Sequence, residues 1–468
     1  MTENFVNKKT QASIIAVAIL SFLGILVETS LNVIFPLLTH EFSVSLSTIQ
    51  WVTSGYLLMV TIIMSATGFL NNRFNAKNLF RTALFFNLIG TILCALSQQF
   101  IVLFIGRLLQ AISTGIATPL MYHIILSLVP VGKRGTYMGL AAMIISLAPA
   151  LGPTYGGTLS AFSSWRAIFI ITIPVILLAA WIGEQNISLV PSRTDQKFDW
   201  WGIILLSITF GSLSLSFANA GNYGFTSYRF IEMLIVFCLA TLVLGFKLHH
   251  SPKKILNFKL LLQPIVGLRW INFFVLQFIN IGISFVIPLF LENCLHVNSF
   301  IAGLVLLPGA LAGALISPYA GQLFDHSGAF RPLLFSSIIL ISGTGFFFAT
   351  SSKISVLGVT LLYILLRVGF NLGFSNSMSD ASLHIAPERN SDFNSIFNTF
   401  QQYAGSLGTS VLAAIISVSQ FNNRNLSHST EQGSHIDYGI LLILAVVSLI
   451  TVIAVKYLFN NATKKEQG

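Results

Sequence analysis

The stretch GILVETSLNVIFPLL, residues 24–38, places an acidic side chain inside an apolar run. No charged residue occurs from Ser13 to Val27, and after Glu28 ten mostly apolar residues follow to Leu38. A helix of about 20 apolar residues crosses a bilayer. The run is too long for a signal-peptide core, and no small-residue cleavage site follows it. We therefore predict a retained transmembrane helix that carries a carboxylate.

The whole chain has the same apolar character. Of its 468 residues 54% are hydrophobic and 9% are charged, and the mean hydropathy is +0.81. Soluble domains carry about 25% charged residues, so a mainly soluble protein is excluded. Long apolar runs without alternation indicate helices and not barrel strands. About fourteen such runs are predicted: 13–38, 48–70, 80–98, 100–129, 136–160, 165–187, 199–219, 228–248, 265–291, 300–322, 332–350, 354–378, 394–418 and 437–459.

The basic residues are distributed unevenly between the two sets of loops. Nineteen lysines and arginines lie at alternate loops or helix ends, among them Arg269, and only four lie at the opposite loops. Cytoplasmic loops are enriched in these residues. We therefore expect both termini in the cytoplasm and the longest outer loop, Ser419–Ile436, to be mobile. The formal net charge of +10 is better explained by this topology than by nucleic-acid binding.

Two related segments indicate an internal repeat. The segment GFLNNRFNAK (68–77) follows the second predicted helix, and GQLFDHSGAFR (321–331) follows the tenth. Parallel six-helix halves are typical of transporters. We predict an N-terminal bundle over residues 1–190, two inserted helices over 191–262 and a C-terminal bundle over 263–468.

Glu28 and Arg107 are the candidate coupling residues. Glu28 lies eight residues, about 12 Å, below Pro36 at the outer end of its helix. Intramembrane carboxylates mark ion pathways or face a partner, and burial favours the neutral form, so Glu28 can load and release a proton. Arg107 is expected at a similar depth, with Arg367 as its counterpart in the second half. The alternatives are a purely structural acid and an arginine that only holds helices together.

The segment SLAPALGPTYGG, residues 146–157, interrupts one predicted helix with two prolines and three glycines. Backbone groups freed in this way must be satisfied by neighbouring helices or a cavity. Small residues also let a partner helix approach closely. We expect a tightly packed, bendable helix at the centre of the first half, and a passive kink is the alternative.

These motifs resemble the major facilitator superfamily, and specifically its fourteen-span drug:proton antiporters of the EmrB/QacA type. That family's G-P-x-x-G-G antiporter motif, which is associated with exporters, is matched by Gly152, Pro153, Gly156 and Gly157. Its R-x-x-Q-G motif is matched at Arg107 and Gln110, although Ala111 replaces the glycine. The segments ETSLNVIFP and NSIFNTFQQYAGSLGTS are most similar to the lincomycin-resistance branch of Gram-positive bacteria.

The resemblance implies an all-α membrane protein with two six-helix bundles plus two inserted helices, and a bacterial cell membrane as its location. Its cytoplasmic loop motif, G-x-x-x-D-R, corresponds to Gly68, Asn72 and Arg73, with the second copy at Gly321, Asp325 and Arg331. Asn72 departs from the family's aspartate. Asparagine can hydrogen-bond but cannot form a charge pair. We therefore expect this motif to close the first half less firmly on the cytoplasmic side.

Polar side chains inside the predicted helices are candidates for a substrate cavity. Gln277, Asn280 and Ser284 share one helix face, and Asn394, Asn398, Gln401 and Gly405 share another. In lipid such residues face inward, although packing between helices explains them equally well. The predicted cavity residues are Asn32, Gln110, Tyr155, Gln277, Asn280, Arg367, Asn398 and Gln401.

The sequence contains no G-x-x-x-x-G-K-[ST] phosphate loop, no metal-ligand spacing and no nucleophile–base pair. We therefore expect neither an enzyme nor a cofactor or metal. Transport is then driven by an ion gradient, is passive or uses a separate subunit, and the acid in the first helix favours protons over sodium. The predicted function is proton-coupled export of amphipathic small molecules. Its partners are then the substrate, protons and the bilayer, without nucleic acid or an obligate protein. Proton-coupled nutrient uptake is the alternative, and a non-transporting sensor is a third possibility.

Overall fold

The computed structural model describes residues 6–188, 198–250, 258–351, 353–386, 389–422 and 425–466, and every regular element in these ranges is a helix. The helices, with a short 3-10 helix at Phe258–Leu262, are α1 (Lys8–Asn32), α2 (Phe35–Phe42), α3 (Leu46–Ile49), α4 (Trp51–Arg73), α5 (Ala76–Ala95), α6 (Phe100–Leu128), α7 (Val131–Phe162), α8 (Ala167–Ile170), α9 (Thr172–Asn186), α10 (Trp200–Tyr223), α11 (Tyr228–His250), α12 (Pro264–Asn293), α13 (Ser299–Ser327), α14 (Phe330–Thr350), α15 (Val356–Ser382), α16 (Asn390–Asn422) and α17 (Leu426–Glu466).

The described residues contain 13 helical spans that are long and apolar enough to cross a membrane. Helix α7 is not among them, but its 32 residues give about 48 Å, which also exceeds the hydrocarbon thickness. The predicted all-α membrane fold is confirmed. The first predicted run is divided, because α1 ends at Asn32 and α2 begins with Pro36 in its first turn, where a proline's missing N–H costs nothing.

The prediction of a mobile loop over Ser419–Ile436 is wrong. Helix α16 continues to Asn422 and α17 begins at Leu426. The Asn425 side chain accepts a hydrogen bond from the backbone N–H of His428 at 3.2 Å, and so caps the new helix. Several polar residues that suggested a loop are buried against neighbouring helices: Ser429, Thr430 and Ser434.

Contacts between helices show that α1 begins and α17 ends at the same face of the molecule. Helices α1 and α7 run parallel, and α13 runs parallel to α15. Antiparallel pairs are α7 with α13, α12 with α15, and α12 with α17. The supporting contacts are Gln11–Tyr137, Ser30–Gly152, Gly157–Ser299, Gly303–Pro153, Gly309–Tyr363, Gly313–Asn371, Arg269–Asp380, Ser377–Asn272, Asn272–Ser448 and Asn293–Thr430. We call this face the terminal face and the other the opposite face.

The two bundles meet at the opposite face. Helix α7 packs on α13 and α4 packs on α16, where the Ser406 hydroxyl donates to the Ser54 carbonyl oxygen at 2.8 Å. One apolar cluster contains residues of both bundles. Within it the rings of Phe35 and Phe285 meet edge to face, with centroids 5.6 Å apart. The molecule is therefore closed at the opposite face.

Helix α10 contacts both bundles, whereas α11 packs on α10 alone among the stronger helix contacts of the described residues. The Phe210 ring of α10 stacks on Tyr403 of α16 with centroids 3.9 Å apart. At its other end Asn222 accepts hydrogen bonds from Ser45 and Ser47, both at 2.6 Å. The predicted boundary at 190/191 falls in 189–197, outside the described residues, and the domain limits stay predictions.

Candidate functional site

Glu28 lies in the last two turns of α1, with its side chain 5% exposed. It lies within electrostatic reach of Arg107 and Tyr56. Because the apolar residues of α1 pack into the N-terminal bundle, the Glu28 side chain on the same helix is buried as well. The structure thus brings the two predicted coupling residues into one buried site.

Arg107 of α6 is fully buried. Its Nε donates to the Val52 carbonyl oxygen at 3.3 Å, and its Nη1 donates to Gln110 Oε1 at 2.7 Å. The guanidinium carbon lies 4.0 Å from the centroid of the Tyr56 ring, a cation–π distance. Nη2 has no hydrogen-bond partner among the described residues. The N–H groups of Nη2 are thus available to a further acceptor.

A chain of buried polar groups continues from Arg107 across the bundle. Gln110 Nε2 donates to Thr91 Oγ1 at 2.8 Å, and Thr91 donates to Asn87 Oδ1 at 3.3 Å. Asn87 in turn donates to Ser113 Oγ at 3.2 Å. Such a network fixes the orientation of Gln110 and through it the guanidinium. Gln110 therefore positions Arg107, a role beyond the motif match and the cavity assignment made from the sequence.

The G-P-x-x-G-G motif of α7 (Gly152, Pro153, Gly156 and Gly157) lies between α1 and α13. A Cβ on Gly156 would stand 2.3 Å from the Ser30 carbonyl oxygen, and one on Gly157 would stand 2.4 Å from that of Ser299. The motif also contacts the other bundle at Pro153, whose carbonyl oxygen would be 2.3 Å from a Cβ on Gly303. These glycines let three backbones approach to a distance that no side chain permits.

Gly152 completes the contact with the helix of Glu28. Its carbonyl oxygen accepts a hydrogen bond from Ser30 Oγ at 2.9 Å. A Cβ at this position would meet Thr29 Oγ1 at 1.9 Å. The motif and the buried acid are thus parts of one packed unit.

The C-terminal bundle contains a smaller polar group around Arg367. Its Nη1 donates to Asn280 Oδ1, and its guanidinium carbon lies 5.5 Å from the Phe370 ring centroid. Nearby, the hydroxyls of Ser284 and Tyr363 are 3.2 Å apart. The structure therefore joins two of the predicted cavity residues, Asn280 and Arg367, in one contact.

Other predicted residues are placed separately. Asn32 accepts a hydrogen bond from Thr53 at 2.8 Å, and the Tyr155 hydroxyl donates to the Ile168 carbonyl oxygen at 3.0 Å. Gln277 is buried, whereas Asn398 and Gln401 are half-buried. Tyr155 also lines an apolar groove of about 350 Å³ between α1, α7 and α9.

The loop-motif residues lie toward the terminal face. Arg73, Asp325 and Arg331 are exposed, and a Cβ on Gly321 would meet nothing within 4 Å. The side chains of positions 68 and 72 lie outside the described part of the chain, so the weaker cytoplasmic closure at Asn72 stays a prediction.

Two buried acids outside this site were not among the predicted site residues. Asp380 Oδ2 accepts from Arg269 Nε at 2.5 Å, and both side chains are buried. Arg269, which the charge count placed at a loop or a helix end, lies in the second turn of α12 and is paired there with Asp380. Asp437 of α17 is fully buried. The available signal was its position as the first residue of the predicted apolar run 437–459.

Comparison with known proteins identifies the relatives of this chain. A family model described as Major Facilitator Superfamily matches residues 17–409. The lincomycin resistance protein LmrB of Listeria monocytogenes is 34% identical over 404 residues, which are 85% of this chain and 85% of that protein. LmrB of Bacillus subtilis is 30% identical over 415 residues, with 88% and 86% covered.

A more distant relative and a solved structure extend the comparison. The riboflavin transporter RibZ of Clostridioides difficile is 27% identical over 425 residues, 89% of this chain and 91% of that protein. The crystal structure of a bacterial homolog to the human lysosomal transporter Spinster, inward-facing and unoccupied, superimposes with a TM-score of 0.69. It covers 95% of this chain and 96% of that one at 14% identity, which shows a common fold.

Proposed function

Because the chain belongs to the Major Facilitator Superfamily, we propose that it exports amphipathic small molecules across the cell membrane in exchange for protons. Its family and structural relatives are transporters and not enzymes. The single observation that supports proton coupling is the buried acid Glu28 beside Arg107, on a helix packed against the antiporter motif.

The proposed mechanism uses the two charge states of Glu28. A protonated Glu28 is neutral and tolerates the dry interior near Tyr56. When its proton leaves, the carboxylate needs a counter-charge, and Arg107 Nη2 is the donor without a partner in the described residues. Pulling Glu28 toward Arg107 moves α1, and α1 is bonded to α7 through Ser30 and Gly152. The proton thus changes the packing of the helix pair that also closes on α13.

Export is favoured over uptake by the curated relatives. Two proteins named for lincomycin resistance are 34% and 30% identical to this chain, and the riboflavin transporter is more distant at 27%. We place this chain with the fourteen-span drug:proton antiporters because of the G-P-x-x-G-G motif and the two inserted helices. With the terminal face in the cytoplasm, as the basic loops favour, the present closure is on the outer side.

Everted membrane vesicles test the function directly. Respiration acidifies their lumen, and a lumen-trapped pH dye reports proton release when substrate is added. We expect release on addition of lincomycin or other amphipathic drugs from a panel, together with raised drug resistance in expressing cells. The matched control is Glu28→Gln in the same vesicles. Proton entry on addition of a nutrient, or accumulation of riboflavin by intact cells, would establish the uptake alternative instead.

A further inference from the structure

Asp437 is a buried carboxylic acid that the site around Glu28 does not use. It lies eleven residues after Leu426, about 17 Å along α17. Its side chain is 0% exposed, and neither carboxyl oxygen has a hydrogen-bond partner among the described residues. An ionised carboxylate without a partner is not tolerated in an apolar interior, and the group takes up a proton instead. Asp437 is thus neutral in this conformation.

The neighbours of Asp437 belong to α12 and α16. One turn before it, Gly433 packs against the Cα of Ile416 on α16. One turn after it, Leu441 lies beside Gly282 on α12. Residues four apart share a helix face, so Asp437 faces the seam between α12 and α16.

The two helices that form this seam also take part in the closure at the opposite face. Helix α16 carries Ser406, which is bonded to Ser54 of the other bundle, and α12 carries Phe285, which packs on Phe35. Tyr438 and Leu441 belong to the same apolar cluster as those aromatic residues. Opening at this face separates Ser406 of α16 from Ser54 and Phe285 of α12 from Phe35, so it moves both helices that Asp437 faces.

The other ionisable groups near this seam are few. Tyr438, whose hydroxyl also has no partner in the described residues, lies within electrostatic reach of Asp437 and Cys294. The charged residues on or beside α12, α14 and α16 near the terminal face are far along the helices: Arg269, Arg331 and Asp392. Those toward the opposite face are Glu292, Cys294, Lys353, His428, Glu431 and His435. No described contact pairs any of them with Asp437.

We propose that Asp437 is a second proton-binding site, which holds a proton while the bundles are closed at the opposite face and releases it to water when that face opens. No bond other than the O–H bond changes, and water on the opposite face accepts the proton. The site acts on the closure through α12 and α16. It does not depend on the identity of the exported molecule or on proton exchange at Glu28.

Infrared difference spectroscopy tests the protonation itself, with the full chain in lipid vesicles and no substrate. The spectrum of the unmodified chain minus that of Asp437→Asn should contain the C=O band of a protonated carboxyl group at neutral pH. The matched control is Glu431→Gln, an acid on the same helix with a side chain 33% exposed, whose difference should show ionised carboxylate bands. Ionised bands for Asp437 at neutral pH would overturn the proposal.

Cys294 offers a native reporter for the opening. It is half-buried beside the opposite face, its thiol donates to the Ser427 carbonyl oxygen at 3.4 Å, and burial raises its pKa to about 12. A protonated thiol reacts slowly, so alkylation measures how often the seam opens. The assay uses a membrane-impermeant maleimide in a Cys238→Ser background, because Cys238 is exposed and Cys94 is buried.

Asparagine at position 437 is neutral at every pH and should keep the seam closed. We expect Cys294 of Asp437→Asn to react about tenfold more slowly than in the parent at alkaline pH, and equally at acid pH. Comparison at matched pH removes the intrinsic ionisation of the thiol. Glu184→Gln, at an exposed acid of the N-terminal bundle, should follow the parent. Equal rates for Asp437→Asn and the parent at all pH values would overturn the proposal. Asp437→Thr serves as a second neutral variant should Asp437→Asn fail to fold.

Discussion

The Ser30 hydroxyl of α1 donates a hydrogen bond to the Gly152 carbonyl oxygen of α7 at 2.9 Å. Two residues away on α1 is the buried acid Glu28, and one to five residues further along α7, at Pro153 and Gly157, the same motif contacts α13 of the other bundle. A change of charge at Glu28 therefore acts on a helix that is hydrogen-bonded to α7, and α7 contacts the other bundle.

Replacement of Glu28 should separate binding from coupling. Glu28→Gln keeps the size and hydrogen bonding but cannot ionise, so we expect normal substrate binding and no accumulation driven by a pH gradient. Glu28→Asp keeps the acid about one methylene shorter and should retain part of the activity. The measurement is substrate flux in proteoliposomes under an imposed pH gradient, with binding assayed on the same preparations. Pumping by Glu28→Gln at the unmodified rate would make this residue a structural acid.

The geometry around Arg107 requires a guanidinium and not only a positive charge. Arg107→Lys keeps the charge but cannot donate to both Val52 and Gln110 from the same position. Hydrogen bonds of charged groups contribute about 1.5–3 kcal/mol, so we expect transport to fall by roughly 10- to 100-fold. Arg81→Lys, at a side chain 55% exposed, is the control and should be near normal. Undiminished flux in Arg107→Lys would show that charge alone suffices.

The close approach of α1 and α7 should not tolerate a methyl group. In Gly156→Ala the new Cβ would stand 2.3 Å from the Ser30 backbone oxygen, and backbone cannot move aside cheaply. We expect destabilisation by about 1–3 kcal/mol together with loss of transport. Gly345→Ala, where the nearest atom is Leu442 Cδ1 at 3.8 Å, is the matched control. Thermal unfolding in detergent compares the two, and equal melting temperatures would contradict the packing described here.

The buried ion pair of Arg269 and Asp380 should be costly to break and cheap to replace. Asp380→Asn leaves the Arg269 charge uncompensated, and breaking such a pair costs about 3–5 kcal/mol. The double variant Arg269→Met with Asp380→Leu removes both charges and should recover most of that loss. Glu184→Gln, which breaks an exposed contact with Arg81, should change stability little. Melting temperatures no lower for Asp380→Asn than for Glu184→Gln would refute the buried pair.

The orientation in the membrane can be checked with reporters. We expect a reporter fused after Gly468 to be cytoplasmic and one inserted between Asn422 and Leu426 to be outside. The reason is the excess of basic residues near the terminal face. An alkaline phosphatase and fluorescent protein pair reads the two positions. Reporters on the same side would be incompatible with the helix directions, and exchanged sides would reverse the assignment of the faces.

The helices were largely predictable, because each is an apolar run bounded by short polar segments. The failure at α17 has a physical reason. Composition alone makes the residues before Asp437 a loop, but Thr430 accepts hydrogen bonds from Asn293 at 3.3 Å and from Gln420 at 2.9 Å. Those donors lie on two other helices, so the stabilising contacts are invisible in the local sequence.

The candidate site was predictable in membership but not in arrangement. Depth along the helices indicated that Glu28 and Arg107 lie at a common level, and the structure brings them within electrostatic reach. The partners of Arg107 depend on how α4, α5 and α6 pack, which spacing along one helix does not reveal. For the same reason the sequence placed Arg269 at a loop or a helix end but did not reveal that its charge is paired with Asp380, 111 residues away.

Helix α10 is fastened to one bundle through Asn222 and to the other through Phe210. The two bundles are therefore not joined by a flexible linker alone. Any large tilt between the bundles must stretch or release one of these attachments. Helix α10 therefore limits how far the two bundles move relative to each other. Substitutions in α10, at residues that do not contact the substrate, should then change the extent of the conformational change.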